Sequence, residues 1–356
     1  MKNLLLFLAF ALAACGGRSS GEGQGNEARQ TSTGLPSEVL LAADNEVLGS
    51  AAIDSLEALL ECPMPGLNQM ESFFRVSRIN LLHDKYETKR MHSRLLVRIK
   101  HDAKEVSLGV ARHVTARPQL QLQLTAPSVE ALLAYLPQHA EGIRRMLLDN
   151  QLCHQTMLLH RHASAQVIQD LAATLGYTID APEEIRFTKR GKDFLWASSR
   201  SQERQLNLVF YTRPYYGPHI EDARALALLR DSVMMENIPG SAPDQWMETV
   251  WEQDMPVATV TSRMQEVYVN GRPCRSGSPR LVTEMRGLWQ MRHGAMGGPF
   301  VSISFIDSVA HRLVVAEGFV FSPSTSKRDL MRRLEASLRT FRKTTGKVAV
   351  KQAKTE

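Results

Sequence analysis

The chain has 356 residues, of which 43% are hydrophobic and 22% are charged, and its formal net charge is +6. Beyond the first 14 residues no apolar run approaches the roughly 20 residues of a membrane-spanning helix, which excludes a protein with several spans. The body between Leu35 and Thr345 has about 310 residues, more than one hydrophobic core usually organises, so two domains or one elongated double unit are expected.

Residues 1–14 predict a secretory signal peptide. Lys2 provides the positive start, and the apolar run from Leu4 to Ala14 is only 11 residues long. The stretch LAAC that ends at Cys15 resembles the lipobox of bacterial lipoproteins. This resemblance implies cleavage between Ala14 and Cys15 and a diacylglycerol on the cysteine, with a further acyl chain such as palmitate on its amino group. The alternative is an ordinary leader in which Cys15 has no role.

A flexible, disordered tether is predicted for residues 15–34. The stretch GGRSSGEGQGNEARQTSTG has no large apolar side chain to bury. Gly16, not aspartate, follows the cysteine, and by resemblance to known sorting signals this favours the outer membrane of a Gram-negative bacterium. The body would face the periplasm or the cell surface. For an exported protein the positive charge indicates an envelope protein, an anionic polymer or the membrane as partner, and not nucleic acid.

The first half of the body predicts strands, then helices. A buried strand at residues 38–43 precedes a helix at about 50–61. Further strands are expected at 73–82, 95–99, 106–110 and 119–124. The last of these alternates glutamine and leucine, which is typical of a strand with one buried face. A helix starts at Pro127-Ser128, with a break or kink expected near Pro137, and resumes to Leu148; another, at 163–175, stops at Gly176.

The second half repeats this order. Strands are predicted around Phe194–Trp196, Leu206–Phe210, 281–291, 300–306 and 312–321, with a helix at 220–235. Pro323-Ser324 leads into a final helix with a leucine stripe, and Ser326 with Asp329 predicts its capping box. The recurring order favours an α+β fold of two similar units, each a mostly antiparallel sheet with packed helices. The predicted domains are residues 35–180 and 181–345, followed by a disordered basic tail at 346–356.

Several stretches of the body resemble a lipoprotein family of Bacteroidetes called domain of unknown function 4837. These stretches are GLPSEVL at 34–40, KDFLW at 192–196, LALLRDS at 226–232, RGLW at 286–289, MGGPFVS at 296–302, EGFVFSP at 317–323 and KR at 327–328. They run in the same order over nearly the whole body. The resemblance implies lineage and location, and it carries no catalytic residue that can be transferred.

The stretch RGLWQMRHGAMGGPF at 286–300 is the best candidate for a ligand-binding pocket. Arg286, Trp289 and His293 could line it, and the tryptophan could stack on a sugar ring. The alternative is a turn between two strands with a core tryptophan. Arg230 and Tyr215 are further candidates, although a structural ion pair is favoured for Arg230 and core closure for the aromatic segment around Tyr215.

Two other groups of residues have structural as well as functional interpretations. A metal site at Cys153, His154, His160 and His162 would need a break in the helix, so no metal and no cofactor is expected. With Cys15 lipidated, Cys62, Cys153 and Cys274 can form at most one disulfide.

The last helix and tail are rich in lysine and arginine. A solvated polar face is favoured there over contact with anionic lipid or wall polymer.

No serine-hydrolase elbow, zinc-protease motif or phosphate loop occurs in the chain. The sequence therefore favours a membrane-tethered binding or assembly module of the cell envelope, without enzymatic activity. The alternative is a hydrolase acting on peptidoglycan or glycan, with its site near Arg286, Trp289 and His293.

Overall fold

The computed structural model describes residues 30–251, 259–269, 272–273 and 280–344. The signal peptide, Cys15, most of the tether, Cys274 and the basic tail lie outside the described residues. Among the described residues, no helix combines the length and apolarity needed to cross a membrane.

The described residues form seven α-helices and 17 strands. The helices are α1 (Asn45–Leu48), α2 (Ala51–Leu60), α3 (Tyr86–Lys89), α4 (Val129–Arg161), α5 (Ala165–Leu175), α6 (Ala223–Asn237) and α7 (Arg328–Leu338). The strands up to α5 are β1 (Glu38–Ala43), β2 (Arg75–Asn80), β3 (Ser93–Ile99), β4 (Ser107–Arg112) and β5 (Leu120–Ala126). The later strands are β6 (Tyr177–Thr178), β7 (Phe187–Gly191), β8 (Phe194–Ser198), β9 (Gln205–Pro214), β10 (Met247–Thr249), β11 (Thr259–Gln265), β12 (Tyr268–Val269), β13 (Arg272–Pro273), β14 (Arg280–Met291), β15 (Gly297–Asp307), β16 (Arg312–Phe321) and β17 (Arg342–Lys343).

Residues 30–161, here called the N-terminal unit, form a five-stranded sheet covered by α2 and α4. The strand order is β2-β1-β3-β5-β4. On β5 the three leucines are fully buried while the glutamines between them are partly exposed, which confirms the predicted alternation. Leucine side chains of β5 pack with those of α2 and α4, so burial of apolar surface holds the helices on the sheet.

Helix α4 is continuous over 33 residues, and the break expected near Pro137 does not occur. The Ser128 hydroxyl caps the helix by accepting a hydrogen bond from the Ala131 backbone N–H at 3.2 Å, as predicted. Pro137 removes one hydrogen bond to the carbonyl of Leu133, whose side chain is on the exposed side of the helix. Buried side chains before and after the proline, from Leu132 to Leu147, keep both parts packed on the same core.

Residues 164–344, here called the C-terminal unit, form an eight-stranded sheet between two helical layers. Seven strands follow the order β10-β14-β15-β16-β9-β8-β7, and β11 pairs with β14. Helices α5 and α7 pack on one face, where Leu208 and Phe210 of β9 point. Helix α6 covers the other face, where Val209 and Tyr211 point, because successive side chains of a strand alternate between faces. Helix α5 lies before the predicted domain boundary at 180/181 and packs in this second core.

The α+β class is confirmed, but the two sheets differ in topology. In the N-terminal unit β1 is parallel to both β2 and β3, and β3 is parallel to β5. All the ladders of the eight-stranded sheet are antiparallel. The two units therefore share a similar order of strands and helices along the chain but differ in the direction of their strands. Order along the chain does not determine strand direction, because helices and long loops can return the chain to either end of a sheet.

Helix α7 is capped from the other unit, not by the predicted box of Ser326 and Asp329. Both carboxylate oxygens of Glu71 accept backbone hydrogen bonds, from Lys327 at 2.7 Å and from Arg328 at 3.0 Å. Asp329 instead accepts a hydrogen bond from the Ser37 hydroxyl at 2.9 Å. The N-terminus of α7 is thus one of the places where the two units are joined.

Candidate functional site

The charged face of α7 is buried between the two units and is not the solvated face that the sequence favoured. The residues of this face recur at helical spacing and are each less than a tenth exposed; they are Arg328, Arg332, Glu335 and Arg339. Arg339 pairs with Asp149 of α4 at 2.9 Å, and Arg328 donates to the Ser72 carbonyl at 3.0 Å. Arg328 and Arg339 therefore bind the N-terminal unit.

Beside this contact lies a cleft of about 350 Å³, here called the cleft. Its walls come from both units: α4 and the segment from Met64 to Phe73 on one side, and β11, β14, β15 and α7 on the other. Apolar side chains contribute part of the lining, and these are Met64, Phe73, Leu148, Leu152, Val301, Ile303 and Leu338. Six arginines and four carboxylates also line it, so the lining has a positive excess, and Pro65, Thr259, Thr261 and Gln265 complete it.

A continuous chain of ion pairs, here called the charge network, runs along the wall of the cleft through Arg263, Glu284, Arg286, Glu335 and Arg332. Arg263 contacts Glu284 at 2.5 Å, and Glu284 contacts Arg286 at 2.6 Å. Arg286 contacts Glu335 at 2.5 Å, and Glu335 contacts Arg332 at 3.1 Å. The network contains three guanidinium groups and two carboxylates, so one positive charge remains uncompensated within it.

The electrostatics of the charge network keep both of its carboxylates ionised. Burial alone would raise the pKa of Glu284, but attraction to Arg286 and Arg263 outweighs burial and lowers this pKa to about 2. The pKa of Glu335 is lowered for the same reason, by Arg286 and then Arg332. Arg332 is different, because burial outweighs the attraction of Glu335 and lowers the pKa of its guanidinium.

Arg332 and Gln265 carry polar atoms that have no hydrogen-bond partner among the described residues. Only Nη1 of Arg332 reaches a carboxylate, while Nε and Nη2 are unpartnered. Gln265 lies at the end of β11 and is 2% exposed, and neither its amide oxygen nor its amide nitrogen has a partner. Leaving buried polar groups unpaired costs about 1 to 3 kcal/mol each, so each such group calls for an explanation.

Arg286 lies in this cleft, whereas Trp289, which was predicted to share a pocket with it, does not. The two residues are three apart on β14, an odd number, so their side chains point to opposite faces of the sheet. Trp289 is 2% exposed in the core under α6, where its indole N–H donates to the Val320 carbonyl at 3.2 Å. Trp289 is therefore a core tryptophan, which was the alternative interpretation of this stretch. Gly298 is opposite, where a Cβ would overlap the same carbonyl oxygen.

His293 is remote from the cleft. It lies in the exposed turn between β14 and β15, with a φ of 52°, and its Nδ1 is 3.0 Å from a carboxylate oxygen of Asp244. Tyr215 packs at the edge of the α6 core, and its hydroxyl donates to the Pro218 carbonyl at 2.7 Å. The residues proposed for the hydrolase alternative are thus separated: Arg286 lines the cleft, Trp289 lies in the core under α6, and His293 lies in an exposed turn.

Arg230 forms the structural ion pair that the sequence favoured. It is fully buried, and its Nε and Nη2 donate to the carboxylate of Glu317 at 2.8–3.0 Å. Its Nη1 donates to the Thr249 hydroxyl at 3.1 Å, and its Cζ lies over the Phe300 ring, 4.1 Å from the ring centre. Burial favours a neutral Arg230, but attraction to Glu317 prevails and raises the pKa of the guanidinium.

The cysteine and histidines of the possible metal site do not converge. His154 stacks edge-on against His92, with ring centres 5.6 Å apart, whereas His160 lies 3.2 Å from Asp180. Within the described part of the chain, no group of three or more potential ligands is placed to hold a metal ion. Cys62 is a free thiol.

The sequence reasoning found Arg286 and missed its partners. Glu284 and Arg286 are two apart on a strand and thus share a face, while Arg332 and Glu335 are three apart on a helix and thus are neighbours. The spacing of charges of both signs along α7 was the available signal that this face is buried against polar groups. Gln265 had no comparable signal, because its burial depends on the contact between the units.

Together, the fold and the cleft define a protein of two α+β units that share a polar, arginine-rich cleft. Residues 164–340 match a family model described as Domain of unknown function (DUF4837), so the family indicated by the sequence motifs is confirmed for the C-terminal unit. Residues 32–159 match a second model, described as Domain of unknown function (DUF8532). The N-terminal stretch 34–40, which resembled the first family, lies within this second match. Comparisons with curated proteins and with solved structures found no match.

Proposed function

We propose that this protein is a lipoprotein of the bacterial cell envelope, from the Bacteroidetes, that binds an envelope component in the cleft between its two units. The observation that carries the binding role is the cleft itself, which is lined by both units and contains buried polar atoms without partners. Its volume of about 350 Å³ suits a small ligand or a short segment of a larger one.

The envelope location is supported by the sequence of the first 34 residues. A lipid on Cys15 and a polar tether would hold the body at a membrane surface, most simply at the outer membrane. One acyl chain binds a membrane only marginally and two or three bind it stably, at about 0.8 kcal/mol per buried CH₂. The body then acts as a binding or assembly module that reaches its partner within the length of the tether.

The anchor is tested with Cys15→Ala in cells of the source organism. We expect the native protein to incorporate labelled palmitate and to sediment with membranes, and the variant to do neither. Equal membrane recovery of both proteins would refute the lipid anchor.

The binding role is tested separately by placing a photo-crosslinking amino acid at Arg145, an exposed residue of the cleft wall. The matched control has the same group at Val309, which is 87% exposed in the turn between β15 and β16. We expect irradiated cells to give a discrete adduct from position 145 and none from position 309. The absence of an adduct at 145, or the same adduct at both positions, would refute the cleft as the binding site.

A further inference from the structure

The unpartnered atoms of Arg332 have the geometry that holds a carboxylate elsewhere in this protein. Arg230 binds Glu317 through Nε and Nη2, which lie on one edge of the guanidinium plane. In Arg332 the same two nitrogens are free, while Nη1 is occupied by Glu335. The ring of Phe73 lies against the face of this guanidinium, at 4.2 Å, and leaves its edge uncovered by the stack.

The charge network, with its one uncompensated positive charge, favours a single negative charge on the ligand group that binds it. The charge network has one more guanidinium than carboxylates, and its side chains are largely shielded from water. A monoanion such as a carboxylate neutralises this excess, whereas a doubly charged phosphate would leave a net negative charge in a poorly solvated place.

Gln265 adds a second requirement. Its amide oxygen needs a donor and its amide nitrogen needs an acceptor, and a single secondary amide of a ligand supplies both. Arg332 and Gln265 both line the cleft, and the apolar side chains between its charged groups suit a ligand with small aliphatic parts.

Resting on the proposed function of the cleft, we infer that its ligand is a peptide carboxy-terminus, whose carboxylate binds Nε and Nη2 of Arg332 and whose last amide pairs with Gln265. Both side chains are at most 4% exposed, so binding includes a local shift of side chains at the cleft wall. The ligand satisfies polar atoms that have no protein partner among the described residues.

The test uses the mature chain from residue 15 with Cys15→Ala, so that the protein is free of lipid. The probes are a library of N-acetylated tripeptides with a free carboxylate, the same library as carboxamides, and inorganic phosphate. Binding is measured by calorimetry and by chemical-shift changes. We expect the carboxylate library to bind and the carboxamide library to bind at least tenfold more weakly.

Two variants and a control assign the effect to these residues. Arg332→Lys keeps the charge but removes the paired donors, and we expect it to weaken carboxylate binding at least tenfold. Arg333→Lys is the control, because Arg333 is the neighbouring residue on α7, is ion-paired with Glu184 and does not line the cleft. Gln265→Leu is expected to be at least as stable as the native protein, since it removes two unpaired polar atoms, and yet to bind the peptide more weakly.

The outcomes distinguish failure of the inference about the carboxylate from failure of the proposed binding role of the cleft. Preferential binding of inorganic phosphate, equal binding of the two libraries, or no binding of any probe would overturn the inference about the carboxylate. Unchanged carboxylate binding in Arg332→Lys would overturn the role of that residue. If the crosslink at position 145 forms while these tests fail, the cleft remains a binding site for another chemistry. If the crosslink also fails, the proposed function fails with it.

Discussion

Replacing Arg230 by methionine tests how the buried ion pair supports the C-terminal unit. The substitution leaves Glu317 fully buried and still subject to the negative charge of Asp231. Burial and the nearby negative charge both raise the pKa of Glu317, and without the guanidinium nothing opposes them. We therefore expect Glu317 to be protonated in the folded variant at neutral pH.

The size of the effect follows from the pH. The ordinary pKa of this carboxyl is 4.5, which is 2.5 pH units below pH 7. Each unit corresponds to about 1.36 kcal/mol, so keeping the carboxyl neutral at pH 7 costs about 3.4 kcal/mol. This estimate agrees with the roughly 3 to 5 kcal/mol that breaking a buried pair usually costs. The folded variant binds one more proton than the unfolded chain, so its stability falls as the pH rises. At pH 5 the loss should shrink to below about 1 kcal/mol.

The assay is urea unfolding of the lipid-free chain at pH 5 and pH 7, followed by circular dichroism and tryptophan fluorescence. Glu317→Gln is the matched control, because it also breaks the pair but leaves no group that titrates in this range. The double variant Arg230→Met/Glu317→Leu should recover much of the lost stability, since no buried charge remains. A loss in Arg230→Met that is below about 1 kcal/mol at pH 7, or that is the same at both pH values, would refute this reasoning.

Two further predictions concern the contact between the units and the N-terminal unit. Glu71→Ala removes the acceptor of two backbone hydrogen bonds at the start of α7, so we expect the free energy of unfolding in urea to fall by about 1 to 2 kcal/mol. The control is Glu105→Ala, at an exposed position. Equal stability of the two variants would contradict the role of Glu71 as the cap. Burial, and then the neighbouring His154, lower the pKa of His92 from 6.5 to about 4, so the unfolded chain binds more protons and stability is lost as the pH falls from 6.5 towards 4. The native protein should lose about 2.5 kcal/mol more than His92→Phe between pH 7 and pH 4.5, and parallel pH profiles would exclude this role.

Local patterns along the chain identified most of the elements. The alternation in β5, the Ser128 cap of α4 and the glycine at the end of α5 are interactions between residues close in sequence, and each was predicted correctly. The continuity of α4 through Pro137 was not predicted. A proline removes one hydrogen bond from a helix, and whether packing of the helix offsets this loss depends on the surface against which it lies.

The candidate site was only partly accessible to sequence reasoning. Arg286 was singled out, but in company with Trp289, although the odd spacing on one strand already places them on opposite faces. Arg332 was seen only as part of a basic run. Its burial, and that of Gln265, results from the docking of α7 and β11 beside the N-terminal unit.

By itself, then, the sequence determined the α+β class, the family of the C-terminal unit and the positions of most of the longer strands and helices, because these depend on periodicity, caps and turn residues within short stretches. The tertiary structure decided the direction of the strands, the partner that caps α7 and the composition of the cleft. Each of these brings together residues that are far apart in the chain, as when the Glu71 carboxylate accepts a hydrogen bond from the backbone N–H of Lys327. Such contacts depend on which surfaces the two units bury against each other, and no local pattern specifies that choice.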